Sequence, residues 1–307
     1  MVSTWLNGLV SGTVPTGAAY FGGGTTGSLV ATVDRFDFLD DTRSTLGTGL
    51  SAALSSLAAM ANSGTAGYFG GGWNGSASVA TVDKFAFSDD SRSTLGTGLS
   101  GAISSNAAMA NSGTAGYFGG GWDGTRQDRV DKFAFSDDGR TTLGTGLATA
   151  RSSLAGMANS GTAGYFGGGF DGSYLSSVEK FAFSDDGGST LGTGLSAATH
   201  SLAGMANSGT AGYFGGGTTG SVVDTVDKFA FSDDSRSTLG TGLSSARQSL
   251  AGMAQSGTAG YFGGGTTGSV VDTVDKFAFS DDSRTTLGTG LSAARSSLAG
   301  MADSLTL

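Results

Sequence analysis

The chain of 307 residues contains no cysteine, one proline, one histidine and one glutamate. Without cysteine there is no disulfide framework, no thiol chemistry and no thiolate zinc site, although a cysteine-free chain survives in either redox compartment. Glu179 is the only glutamate, so glycoside hydrolysis would have to rest on paired aspartates. His200 has no second histidine beside it and makes a poor metal ligand. Charged residues amount to 13%, about half of the ~25% of an ordinary globular protein. A net charge of −9 argues against a nucleic-acid partner. The opening MVSTWLNGLVSGTVPTG has no basic n-region and no long apolar run, so no signal peptide is read there. A protein acting outside the cell would then leave by lysis or a signal-free route. Nothing approaches the ~20 apolar residues of a membrane span, and no membrane insertion is expected.

Glycine, by contrast, is abundant at 57 residues, and it recurs in order. The string YFGGG begins at Tyr20, Tyr68, Tyr117, Tyr165, Tyr213 and Tyr261, at intervals of 48, 49, 48, 48 and 48 residues. A period of that size points to a solenoid or a propeller. The last full unit reads SLAGMAQS, GTAGYFGGG, TTGSVVD, TVDKFAF, SDDSR, TTLGTGLS, AAR. Four short segments of strand chemistry are separated by Gly, Ser, Asp and Thr clusters that mark turns. No segment sustains the apolar spacing of a helix. In TVDKFAF the side chains alternate, with Asp275, Phe277 and Phe279 on one face and Val274 and Ala278 on the other. LAGMAQS is built from small residues around one Met, which suits an innermost strand crowded about an axis. The expected fold is all-β: a six-bladed β-propeller of four-stranded antiparallel blades over residues 17–307.

Strands two to four appear six times, starting at Ala18, whereas the LAGM-type strand is shifted and has a spare copy at Leu298–Ser304. Closure by the C-terminal strand joining blade 1 is expected, with Leu6–Gly12 as the rival for that place. Residues 1–16, including Trp5, are expected to form a docking segment that mounts the propeller on something larger.

Gly-Gly after an apolar strand, an alternating strand ending in an aromatic, and Arg before the next blade together resemble the kelch repeat over nearly the whole chain. The kelch tryptophan of the fourth strand is missing; Leu143, Leu191, Leu239 and Leu287 lie near its place. The arginine is present as Arg151, Arg247 and Arg295, and is replaced by Leu54, Ile103 and Thr199. Arrays of this kind resemble propellers encoded by bacteriophages and their hosts. The resemblance implies a virion or extracellular location within a larger assembly, as a tail, fibre or capsid-associated component. Its partner would be a host-surface glycan or another virion protein.

In a propeller the 2–3 and 4–1 connectors emerge on one face, and the 1–2 and 3–4 connectors on the other. The 3–4 connector is nearly constant, with Asp pairs at 40–41, 89–90, 137–138, 185–186, 233–234 and 281–282. In blade 4 it reads SDDGGSTL, similar to the Asp-box hairpin of sialidase-type propellers. Such aspartates accept bonds from backbone N–H groups two residues on; a ring of calcium sites is the alternative, set against only two carboxylates per turn. No metal or other cofactor is expected. The GGG strings lack a strand–GxGxxG–helix setting, so phosphate binding is not supported.

The 2–3 connector varies. Blades 1, 5 and 6 carry GGGTTGS, but Trp73, Trp122 and Phe170 replace the first threonine in blades 2, 3 and 4. Beside them lie Asn74, Asp123, Arg126, Gln127, Asp128, Arg129, Asp171 and Tyr174. Aromatics flanked by such groups suit recognition: a sugar ring could stack on an indole, or a protein partner could use the same residues. The plainer reading is local packing over the blade tops. A non-enzymatic binding module is expected, with a sialidase- or lyase-like enzyme as the alternative, recognisable by acid and Arg side chains converging at the axial mouth.

Overall fold

The computed structural model describes residues 17–304. Twenty-four strands form six four-stranded antiparallel sheets, and the described residues contain no helix. Each of blades 2 to 6 is built in chain order from the axis outward, as in blade 6 with Ala251–Gln255, Ala259–Gly263, Val274–Ala278 and Arg284–Thr286. Blade 1 takes its axial strand from the other end of the chain: Ala299–Ala302 pairs with Ala18–Gly22, placing Met301 opposite Tyr20. The same register sets Met253 opposite Tyr261 in blade 6. The C-terminal strand therefore closes the ring; the rival segment Leu6–Gly12 and the whole expected docking segment, residues 1–16, lie outside the described residues. The outer strand is shorter than TTLGTGLS suggested. In blade 6 it ends at Thr286, and the chain beyond it meets the 2–3 loop, where Leu291 N donates to Asp272 O at 2.8 Å and a Cβ at Gly290 would lie 2.6 Å from that same carbonyl oxygen.

The core lies between blades. Tyr213, Val226 and Leu243 of blade 5, for example, pack against Phe262 and Phe277 of blade 6. Burying each such side chain contributes about 1.5–3 kcal/mol. The triple glycine is what lets the sheets approach. A Cβ on Gly263 would come within 2.5 Å of the Phe21 ring of blade 1, while Gly264 and Gly265 adopt φ of +66° and +104°, a region in which a side chain is strained. The same ring-on-glycine contact joins every neighbouring pair, Phe69 over Gly22 and Phe118 over Gly70 among them.

Polar groups stitch the blades at three levels. On the face of the 3–4 turns, the first aspartate closes its own hairpin, Asp281 accepting from Ser283 N at 3.0 Å. The second reaches the preceding blade: Asp282 accepts from Tyr213 Oη at 2.8 Å and Lys228 Nζ at 2.6 Å. Burial, reinforced by this aspartate, pushes the Tyr213 phenol well above its usual range, and the equivalent tyrosines of the other five blades behave alike. Both carboxylates of the pair are thus occupied in holding hairpins and neighbours. Midway, a fully buried carboxylate on each third strand binds the neighbouring 4–1 connector. Asp275 accepts from Ser244 N and Oγ at 2.9 Å each and from its own Thr286 Oγ1 at 2.7 Å. At three interfaces a buried arginine joins it: Arg247 with Asp275 at 2.9 Å, Arg295 with Asp34 at 3.0 Å, and Arg151 with Glu179.

At the axis, on the opposite face, Ser56, Ser105, Ser153, Ser201, Ser249 and Ser297 close a circle. Each donates its backbone N–H to the serine carbonyl of the preceding blade, Ser56 completing the turn onto Ser297 at 2.7 Å. All six adopt φ between +54° and +56°. Near the other mouth, Asn62, Asn111, Asn159 and Asn207 each accept a backbone N–H from the next blade's 1–2 turn, as Asn62 Oδ1 does from Gly113 at 2.7 Å. These asparagines are therefore another set of inter-blade ties.

Candidate functional site

Trp73, Trp122 and Phe170 occupy one structural position on three successive blades. Each opens the 2–3 loop by pairing with the preceding 4–1 connector: Trp73 with Ser55, Trp122 with Ser104 and Phe170 with Ser152. Thr218, Thr266 and Thr25 make the same pairing in blades 5, 6 and 1, with His200, Gln248 and Ser296. The loops then turn back on themselves, Trp122 bridging Arg126 and Phe170 bridging Tyr174. All the residues singled out in the 2–3 loops therefore share one rim.

Within that rim they divide into supports and free surfaces. Asn74 Oδ1 accepts from Ser76 N, Ser76 Oγ and Ala77 N at 2.9–3.0 Å. Asp123 accepts from Thr125 N and Gln127 Nε2, and Asp171 from Ser173 N at 2.9 Å. These side-chain caps close the loops. Arg129 pairs with Asp123 at 3.4 Å. Desolvation raises the Asp123 carboxyl, but bonds from Thr125 and the Arg129 charge outweigh it and hold it below the usual range.

The aromatic side chains stay accessible, Trp73 at 38%, Trp122 at 39% and Tyr174 at 38%. Trp73 and Trp122 flank a cleft of about 340 Å³, with Ala77, Ser78, Ala102, Asp123 and Gly124 completing its lining, a size at the lower end of small-molecule sites at ~300–1,000 Å³. Ala77 belongs to a loop one residue longer than its counterparts, Trp73 bridging Ser78 where Trp122 bridges Arg126, which accounts for the single 49-residue interval. On the far side, the Arg126 guanidinium lies 5.5 Å from the Trp122 ring and 4.5 Å from the Phe170 ring. Phe170 then meets Tyr174 at 5.8 Å, and Tyr174 meets His200 at 4.7 Å. Burial lowers the His200 pKa, so the ring is neutral near pH 7 and packs as an aromatic.

The result is a ladder of contacts from Trp122 of blade 3 to His200 at the edge of blade 5, with Trp73 of blade 2 lining the far side of the cleft. His200 and Ala102 lie outside the 2–3 loops, where all the expected site residues stand. Both stand in 4–1 connectors, which emerge on the same face, so the connector rule already pointed to them.

The axial mouth of this rim is different. A cavity of about 90 Å³ is lined by the six ring serines, five leucines and Asn106. Asn106 takes the place held elsewhere by Leu57, Leu154, Leu202, Leu250 and Leu298. It is 7% exposed, and neither amide atom has a hydrogen-bond partner. Among the described residues no group of three or more His, Asp or Glu side chains is assembled as a metal site.

A fold of this kind, with an uneven rim on an even ring, defines a six-bladed β-propeller with one differentiated sector. No family model matches the chain, and a search of curated proteins finds none similar to it.

Proposed function

We propose that this propeller is a non-enzymatic binding module whose blade 2–4 rim recognises a host-surface glycan or a protein of the same assembly. The observation that carries the reading is the aromatic ladder itself. Backbone positions that hold threonine in three blades hold Trp73, Trp122 and Phe170 in the other three, with both indoles accessible on either side of one cleft. Large amphipathic rings at a concave site supply contact area at low conformational cost. The axial mouth, lined by Ser, Leu and Asn106 without an acid or an arginine, supports binding over a sialidase- or lyase-like reaction. The kelch-like repeat pattern and its likeness to phage-encoded arrays favour a virion setting, as a tail, fibre or capsid-associated component.

Replacing Trp73, Trp122 and Phe170 together by Ala is expected to abolish attachment to host cells in a pull-down. The melting temperature should fall by only a few degrees. Attachment that survives the triple change, or a protein that no longer folds, would mean the rings serve packing.

A further inference from the structure

Fourteen of the sixteen Lys and Arg side chains pair with a carboxylate. Arg284 instead donates to Gly242 O at 3.2 Å. Among the described residues Arg126 alone makes neither a hydrogen bond nor an ion pair, and its Nε is buried without a partner. In a chain of net charge −9, where every other cation is satisfied internally, an arginine held between two aromatic rings with its donors unused is a preorganised anion receptor. The rings fix the plane of the guanidinium, so little rotamer freedom remains to be lost when a carboxylate docks. The hydroxyl of Tyr174, whose ring meets Phe170, also makes no hydrogen bond among the described residues.

Resting on the glycan reading above, we propose that Arg126 is a carboxylate subsite and that the glycan is acidic: a uronic acid or another carboxylated sugar. A neighbouring ring of the same oligosaccharide would occupy the cleft between Trp73 and Trp122. Trp122 belongs to both subsites, lining the cleft and stacking on Arg126, so the two subsites adjoin. The small volume of the cleft, about 340 Å³ and lined by two indoles, favours a single ring over the extended contact that a protein partner requires, on the order of 1,000 Å².

The test is calorimetric titration of the full chain with an oligouronate and with the same oligosaccharide after reduction of its carboxyl groups to alcohols. The acidic form is expected to bind at least about tenfold more tightly. Its affinity should fall with added salt while that of the neutral form does not. Arg126→Gln should bring the two affinities together and remove the salt dependence. Equal binding of the two forms by the unaltered protein, or a preference that survives Arg126→Gln, overturns the carboxylate subsite while leaving glycan recognition standing. Binding of neither form overturns the glycan reading and this subsite with it. The salt dependence is read on the unaltered protein, so the test stands even if the variant folds poorly.

Discussion

Blades 2 to 4 and blades 5, 6 and 1 present the same hairpin on the same rim, tied to the same connectors, yet with opposite surface chemistry. Thr218, Thr266 and Thr25 make the strand-like bridges that Phe170, Trp122 and Trp73 make. The glycines that shape the loop are present in all six. What folds the rim is therefore backbone pairing plus side-chain caps such as Asn74 and Asp171. The residue at the first loop position is left available for variation. Three blades keep the minimal version and three carry rings, an Arg and a Tyr, so the shared frame and the variable surface occupy separate sets of atoms.

That separation can be attacked from the side of the shared frame. The largest effect is expected from alkali. The six inter-blade tyrosines have folded-state pKa values above the ordinary phenol value of about 10, so the stability they contribute is fully present below pH 10 and is lost as the pH rises beyond it. Tyrosinate absorbance and the loss of β circular dichroism should therefore appear together above pH 10. Ionisation near pH 10 with the sheets intact would show that the Tyr–Asp ties are dispensable.

Next in size is Arg247→Ala, which strips the cation from buried Asp275. Breaking such a pair costs about 3–5 kcal/mol, readable by urea unfolding, while ligand affinity per folded molecule should not change. The chain contains its own counter-example: Asp83 faces Leu54 rather than an arginine and relies on Ser51, Thr94 and the half-exposed Arg92. A loss below about 1 kcal/mol would mean that the hydroxyls suffice at every interface.

The smallest effect runs the other way. Asn106→Leu restores the residue found in the other five blades and removes an unpartnered amide from between blades 2 and 3. A gain of about 1–3 kcal/mol is expected. If instead binding at the nearby Trp73–Trp122 cleft weakens, then frame and rim are coupled at that point.

Blade number, strand count and ring closure could all be read from the chain, because period-two alternation, turn clusters and the shifted LAGM copy are local signals. The brevity of the outer strand could not, since beyond Thr286 the chain bonds instead to the 2–3 loop, Leu291 N to Asp272 O, a contact between segments apart in sequence. At the rim, the rings were identifiable as departures from GGGTTGS. Their division of labour was hidden: nothing in the string WDGTRQDR tells that Asp123 is committed to Thr125 and Arg129 while Arg126 is committed to nothing. Pairing is a three-dimensional property, and the ring that flanks Arg126 on its far side, Phe170, comes from the following repeat.

Closure by Ala299–Ala302 also has a temporal side. Ala18–Gly22 emerges from the ribosome well before Ala299–Ala302, the strand that covers its inner edge. At ~5–20 residues per second, that edge spends on the order of a quarter of a minute to a minute uncapped, open to any passing strand. Polysomes, where many copies of Ala18–Gly22 wait side by side, are the setting in which this protein is most exposed to mispairing with its own kind.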